Sequence, residues 1–181
     1  KSQIIAAIFT AASMNNVNIL NILLQVINND VNIHLHNESL LVVSSKYNNK
    51  EVIQAIFDNQ NFDPDKSEIN VAFGQLLSNS EFVSTNLLDL LIEHDSKHQI
   101  NFSKPLPNGK SYFTTLSPSA KNLKEVVDYL LKHGADPNSE DKFGEYPLQY
   151  AINSLSLEFV KTLIDTKKIN LLMRIHISEE I

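Results

Sequence analysis

Two histidine groupings and one acidic loop hold the side chains whose spacing could support metal or acid–base chemistry. His34-x-His36 places two rings on alternate residues, which face the same way in an extended segment. His94-Asp95-x-x-His98 has i, i+4 spacing, which on a helix sets both rings on one face while Asp95 points elsewhere. Asp63-Pro64-Asp65-Lys66-Ser67-Glu68 gathers three carboxylates but lacks the glycine and ligand spacing of a calcium loop. A metal site needs three or four ligands, so solvated histidines are the better reading of both groupings. No G-x-S-x-G, P-loop, H-E-x-x-H, G-x-G-x-x-G or EF-hand pattern occurs. With no cysteine there is no disulfide, thiolate zinc site or thiol nucleophile. The chemistry-bearing residues therefore predict no catalytic residue, no metal and no cofactor.

Composition narrows the classes further. The 181 residues are 43% hydrophobic and 20% charged, ordinary for one water-soluble domain. The net charge is −6. Residues 1–90 carry 4 Lys against 9 Asp and Glu, and residues 91–181 carry 11 Lys and Arg against 12 Asp and Glu. There is no basic stripe and a single arginine, Arg174, which argues against binding nucleic acid through its phosphates. No apolar run approaches the roughly 18 residues of a membrane span, and the N-terminal stretch Ile4–Phe9 is too brief for a signal peptide. The triplets Asn37-Glu38-Ser39 and Asn101-Phe102-Ser103 match the glycosylation acceptor, a match that arises easily by chance among 21 asparagines. The expected setting is intracellular, cytoplasmic or nuclear.

The elements that must position any site are clearest between Val126 and Asp165. Val126, Val127, Leu130 and Leu131 form one apolar helical stripe. Lys132 and His133 follow in its last turn, where cations suit the helix dipole. Gly134 stands where a helix exits through positive φ, and Asp136-Pro137-Asn138 is turn chemistry. Asp141 to Gly144 makes a second turn. Pro147 fits the first turn of a new helix, Ala151 is small where two helices must approach closely, and Leu157 to Ile164 supply an antiparallel partner helix.

Gly134-Ala135-Asp136-Pro137-Asn138 resembles the G-A-D-x-N loop of ankyrin repeats, and Asp141-x-x-Gly144 their D-x-x-G hairpin tip. Tyr146-Pro147-Leu148-Gln149 stands in the place of T-P-L-H, keeping Pro and Leu but not Thr and His, so a weaker helix cap is expected there. Repetition extends the resemblance along the chain. The apolar triplets that begin at Ile22, Ala55, Leu90, Tyr129 and Thr162 step by 33, 35, 39 and 33 residues, against a family period of about 33. First-helix anchors at Ile8 and Leu41 are again 33 apart.

The resemblance implies an all-α fold, an ankyrin-repeat solenoid of stacked helix-turn-helix units with hairpin-like loops, and a single domain over residues 1–181. Its approximate repeats are 2–32, 33–65, 66–102, 103–138 and 139–170, with 171–181 a C-terminal cap or the start of a further repeat. The third repeat is the least regular: Gly74 interrupts its first helix, residues 78–84 hold an insertion in which Ser84 or Thr85 caps the next helix, and His94 to Ile100 departs from the family loop. This is the expected place for a bend or a displaced helix. Ser44-Ser45 takes the place of the alanine pair Ala11-Ala12, and Asn16, Asn18, Asn21 and Gln25 are expected to give the N-terminal unit a polar outer face.

In the family the hairpin tips and first helices form a concave surface that binds other proteins. By that geometry the outward, partner-binding positions here are Leu35, His36, Glu38, Lys46 and Tyr47 in the second unit. They are Lys110 and Thr115 in the fourth, and Lys142, Phe143, Glu145, Tyr150 and Asn153 in the fifth. Phe143 reads either as an exposed anchor or as a ring folded onto the neighbouring tip, and Tyr47 as an inter-repeat contact. The expected function is a non-enzymatic scaffold for a protein or peptide partner, with no nucleic acid and no membrane insertion. The second reading is a regulatory or targeting ankyrin segment of a larger protein, such as a transcription regulator or multidomain enzyme.

Overall fold

Five polar side chains start helices in the same way. Asn16, Ser39, Ser84, Ser111 and Ser156 each accept a hydrogen bond from the backbone N–H three residues on, at 3.1–3.4 Å. Each satisfies a donor that the helix itself leaves open. In the computed structural model, which describes residues 2–66 and 68–170, these caps fall within a regular series. The first helices of successive pairs are α1 (Ser2–Ser13), α3 (Leu40–Lys46), α5 (Ile69–Leu77), α7 (Tyr112–Thr115) and α9 (Pro147–Asn153). The second helices are α2 (Val17–Val26), α4 (Lys50–Phe57), α6 (Thr85–His94), α8 (Leu123–Lys132) and α10 (Leu157–Asp165). The first helices touch in chain order, α1 on α3, α3 on α5, α5 on α7 and α7 on α9. The result is an all-α stack with one continuous core, in which Ile8, Leu41, Phe73, Phe113 and Ala151 are fully buried.

Asparagines join one unit to the next. Asn32 Nδ2 donates to Asn61 O and its Oδ1 accepts from Asp63 N at 2.8 Å. Asn138 repeats the arrangement with Lys168 O and Asn170 N. At the turns between paired helices, Asn49 Nδ2 donates to Ala12 O, and Asn122 exchanges two hydrogen bonds with the backbone of Val83 at 2.9 and 3.0 Å. Ser156 Oγ donates to Pro118 O. The last residue of each G-A-D-x-N-like loop in the first and fourth units thus links loops, which is a reason for a short amide at that position.

Several expectations need correction. Gly74 does not interrupt its helix: α5 runs through it, and Leu106 Cδ1 lies 3.4 Å from where a Cβ would stand. A Cβ there would make only ordinary contact with Leu106, so neither backbone nor packing marks this glycine as a break. The irregularity of the third unit lies in its loops instead. One turn of 3₁₀ helix, Pro64–Lys66, stands where the second unit has the hairpin β1 (His34–Leu35) and β2 (Glu38–Ser39). After α6, the buried Asp95 carboxylate accepts from Gln99 N at 2.9 Å and Ile100 N at 2.7 Å and so shapes the divergent loop. The N-terminal unit is not polar throughout its outer face, because Ile19, Ile22 and Val26 stand exposed among the asparagines of α2. Ile152, Leu155 and Leu157 are likewise exposed at the other end. The expected cap or further repeat at 171–181 lies outside the described residues.

Candidate functional site

The second tip turns through His36 and Asn37, both at positive φ (51° and 66°), the geometry of a two-residue hairpin turn. His36 is exposed, Leu35 leans back onto the core, and Glu38 lies 4.0 Å from Lys46 Nζ. His34 meets Glu68, the residue before α5, at 3.5 Å, and Glu68 also accepts from Ser39 N at 3.1 Å. His34 and His36 therefore do not form a pair. Lys46 and Tyr47 close α3, and Tyr47 is 53% exposed.

The fourth and fifth tips are built together. Gly109 at φ 89° closes the fourth, with Leu106 N donating to Lys110 O at 2.8 Å. Lys142 N of the fifth donates to Gly109 O at 2.8 Å. Asp141, buried, organises the fifth: its Oδ1 accepts from Phe143 N and Glu145 N at 2.9 and 3.0 Å, and its Oδ2 from Thr114 Oγ1 at 3.0 Å. Thr114 also completes a capping box with Ser111 at the start of α7. Lys142 and Phe143 lie across Gly109, with carbon atoms 3.3 Å from where its Cβ would stand. Phe143 thus combines both readings: one ring edge touches the neighbouring tip while the side chain remains 71% exposed.

Behind these tips, Lys110 Nζ lies 5.4 Å from the centre of the Tyr150 ring, a cation–π distance. Tyr150 OH donates to Leu116 O, so this residue also ties the fourth unit to the fifth. Burial raises the pKa of the Tyr150 hydroxyl above its ordinary value. Exposed Asn153 donates to Glu145 Oε1 at 2.9 Å. Tyr146 has no side-chain cap on α9 and donates its hydroxyl to Glu140 instead.

Thr115 corrects its own expectation. It is only 7% exposed, because it is flanked by α5 and the fourth tip rather than facing outward. Those elements frame a cleft of about 160 Å³ that Asn70, Val71, Gly74 and Gln75 share with Leu106, Lys110 and Thr115. No sequence pattern singles out the α5 residues. Their signal is a polar pair, Asn70 and Gln75, on a helix whose Gly74 reads from sequence as a breaker. A larger cleft, about 330 Å³, opens between Phe102–Pro105 and Gly134–Glu140.

His94 and the aspartates of the acidic loop have structural partners. His94 is not solvated: half-buried, it stacks on Phe57 with ring centres 4.1 Å apart and meets Leu90 O through Nδ1. His98 lies beyond the end of α6, so the two rings do not share a helix face. In the acidic loop, Asp63 faces Lys66 and Asp65 faces Lys97, each at 3.5 Å.

The arrangement offers an extended surface with an aromatic tip. A family model described as ankyrin repeats, three copies, matches residues 79–174. The match begins within the third helix pair and covers just over half of the chain. Comparison with curated proteins finds no match.

Proposed function

The chain belongs to the ankyrin repeat family, whose repeats are generally protein–protein interaction modules, and we propose on that premise that its concave face binds a protein or peptide partner. The binding positions are Leu35, His36, Glu38, Lys46 and Tyr47 on the second unit, Lys110 on the fourth, and Lys142, Phe143, Glu145, Tyr150 and Asn153 on the fifth. The five helix pairs form one domain with repeats near 2–32, 33–65, 66–102, 103–138 and 139–170. The role is that of a scaffold without chemistry of its own. The family is typically non-enzymatic, and no helix among the described residues is long and apolar enough to cross a membrane. We place its work inside the cell, in cytoplasm or nucleus.

The observation that supports this reading most is Phe143. An aromatic ring held out on a tip fixed by a buried carboxylate and by its neighbour is preorganised, so little ordering entropy opposes its burial by a partner. Affinity capture from native extract tests it, comparing the wild type with a Phe143→Ala, Tyr47→Ala double variant and with a Glu93→Ala, Lys132→Ala control on the second helices. The expected result is a partner lost with the first variant alone. A partner set that changes only with the control would move the interface off the concave face.

A second reading, a regulatory or targeting ankyrin segment of a larger protein, is supported by the apolar residues exposed at both ends of the stack. An extended reading frame that encodes further helix pairs would favour it.

A further inference from the structure

The two ends of the stack are uncovered halves of the same joint. Val52, Leu87 and Phe159 are third in α4, α6 and α10 and are buried, whereas Ile19, third in α2, is 49% exposed. Each of these helices packs on the first helix of its own pair. Only α2 has no preceding unit among the described residues, so a preceding unit is what covers this place. The tenth residue behaves alike: His94 of α6 stacks on Phe57 of the preceding unit, while Val26 of α2 is exposed. Ile19, Ile22 and Val26 thus form one bare apolar face at i, i+3, i+7 spacing. The far end mirrors it. Leu24 and Phe57, eighth in α2 and α4, are buried, and Ile164, eighth in α10, is 47% exposed. Ser45, sixth in α3, is buried, and Ile152, sixth in α9, is exposed.

We propose that a second copy of this chain covers these faces, the last unit of one copy docking on the first unit of the next. The inference is independent of the concave-face reading. The chain itself carries both halves of the joint. Phe57 on His94 sets an eighth residue against a tenth, and the same register between copies sets Ile164 of one against Val26 of the next, an apolar pair. Charge favours this approach. Residues 2–29 contain no Asp, Glu, Lys, Arg or His, in a chain of net charge −6, so the first unit is where an acidic copy meets no like charge. A polar contact is also left open. Asn49 Nδ2, at the N-cap of α4, donates to Ala12 O of the preceding unit. Asn16 holds the N-cap of α2, and its Nδ2 has no acceptor among the described residues. Terminal units of a repeat stack need a polar outer face when water is all they meet, and a contiguous apolar face marks an interaction site. Because the two halves differ, each docked copy presents a fresh half, and assembly continues past two copies.

Sedimentation of the whole 181-residue chain over a wide range of concentration tests this, with Val26→Lys blocking one face and Ile164→Lys the other. Both residues are exposed, so neither change should disturb the fold, and circular dichroism of each variant checks it. The wild-type mass is expected to rise with concentration beyond that of a dimer. Each variant alone should remain a monomer, since every copy then lacks one half of the joint. An equimolar mixture of the two should form dimers and nothing larger, because a single sound joint remains between an intact last unit and an intact first unit. A wild-type chain that stays monomeric throughout would overturn the proposal and leave the faces to further helix pairs of a longer chain. So would a wild-type dimer that grows no further and survives Ile164→Lys, which would mean that the α2 face pairs with itself. A mixture of the two variants that stays monomeric, although the wild type associates, would overturn the end-to-end joint as well. The wild-type masses decide the first two outcomes even if a variant folds poorly.

Discussion

Thr114 Oγ1 and Asp141 Oδ2 meet 3.0 Å apart inside the joint between the fourth and fifth units. The pair links the start of one first helix to the tip of the next repeat, and both residues are buried. Asp141→Ala strands two backbone donors of the tip as well as the threonine. It should lower stability by about 3 kcal/mol, the upper range for hydrogen bonds to a charged group. Thr114→Val leaves the carboxylate two of its donors and should cost about half as much. Chemical denaturation of both variants checks the order.

Gly109 and Gly134 separate a backbone effect from a contact. Both lie at positive φ (89° and 87°), but a Cβ at Gly134 would meet nothing within 4 Å, whereas at Gly109 it would meet Lys142 and Phe143 at 3.3 Å. Each change to Ala should cost about 1 kcal/mol for the left-handed backbone. Gly109→Ala should cost more, and it alone should weaken partner binding, because it displaces the Phe143 ring. Melting temperatures and partner affinity, measured side by side, decide this.

Phe143→Ala should reduce partner affinity by about 2 kcal/mol, as for an aromatic anchor, and change stability by less than about 0.5 kcal/mol, as for an exposed site. An equal loss of both would make Phe143 a structural residue of the tip.

Ser44 and Ser45 occupy the alanine-pair position of the second unit, both fully buried. Ser44 has a partner in Leu40 O, and Ser45 Oγ has none among the described residues. Ser45→Ala should therefore stabilise the chain by about 1 kcal/mol and Ser44→Ala should not, since removing an unpaired buried hydroxyl relieves its desolvation cost. Denaturation midpoints distinguish them.

Alkaline pH should weaken the fold through Tyr112. Burial pushes its hydroxyl from 10.0 up to about 12, with the Asp95 carboxylate adding to the rise. The unfolded chain loses this proton first, so the contribution is complete below pH 10 and is lost as pH rises towards 12. Tyr129 acts in the same direction, raised by burial and by the hydroxyl's bond to Asp89. Tyr112→Phe should reduce the fall in stability over that window, measured by denaturation at stepped pH.

The repeat architecture was legible because it is written in spacing. Apolar triplets about 33 residues apart, a glycine at a helix exit and a proline at a helix entry all report backbone geometry, which single residues specify. The surface was less legible. Thr115 reads as outward by family register, yet the fourth tip and α5 enclose it, a relation between segments that no local pattern encodes. Gly74 reads as a break, yet α5 runs through it. His94 reads as solvated because its partner Phe57 lies in the preceding unit. Each miss depends on how one unit settles on the next, and small insertions in the third and fourth units alter that register.

The amide links between neighbouring loops have a mechanical meaning. Asn32, Asn49, Asn122 and Asn138 each fasten a unit to its neighbour, so a pull on the two ends of the chain passes through these links in series. Stability in such a stack is roughly a sum of unit and nearest-neighbour terms, so one unit is expected to give way under load while units beyond its neighbours keep their contacts, a tolerance of tension that a core tying distant parts of the chain together would not have.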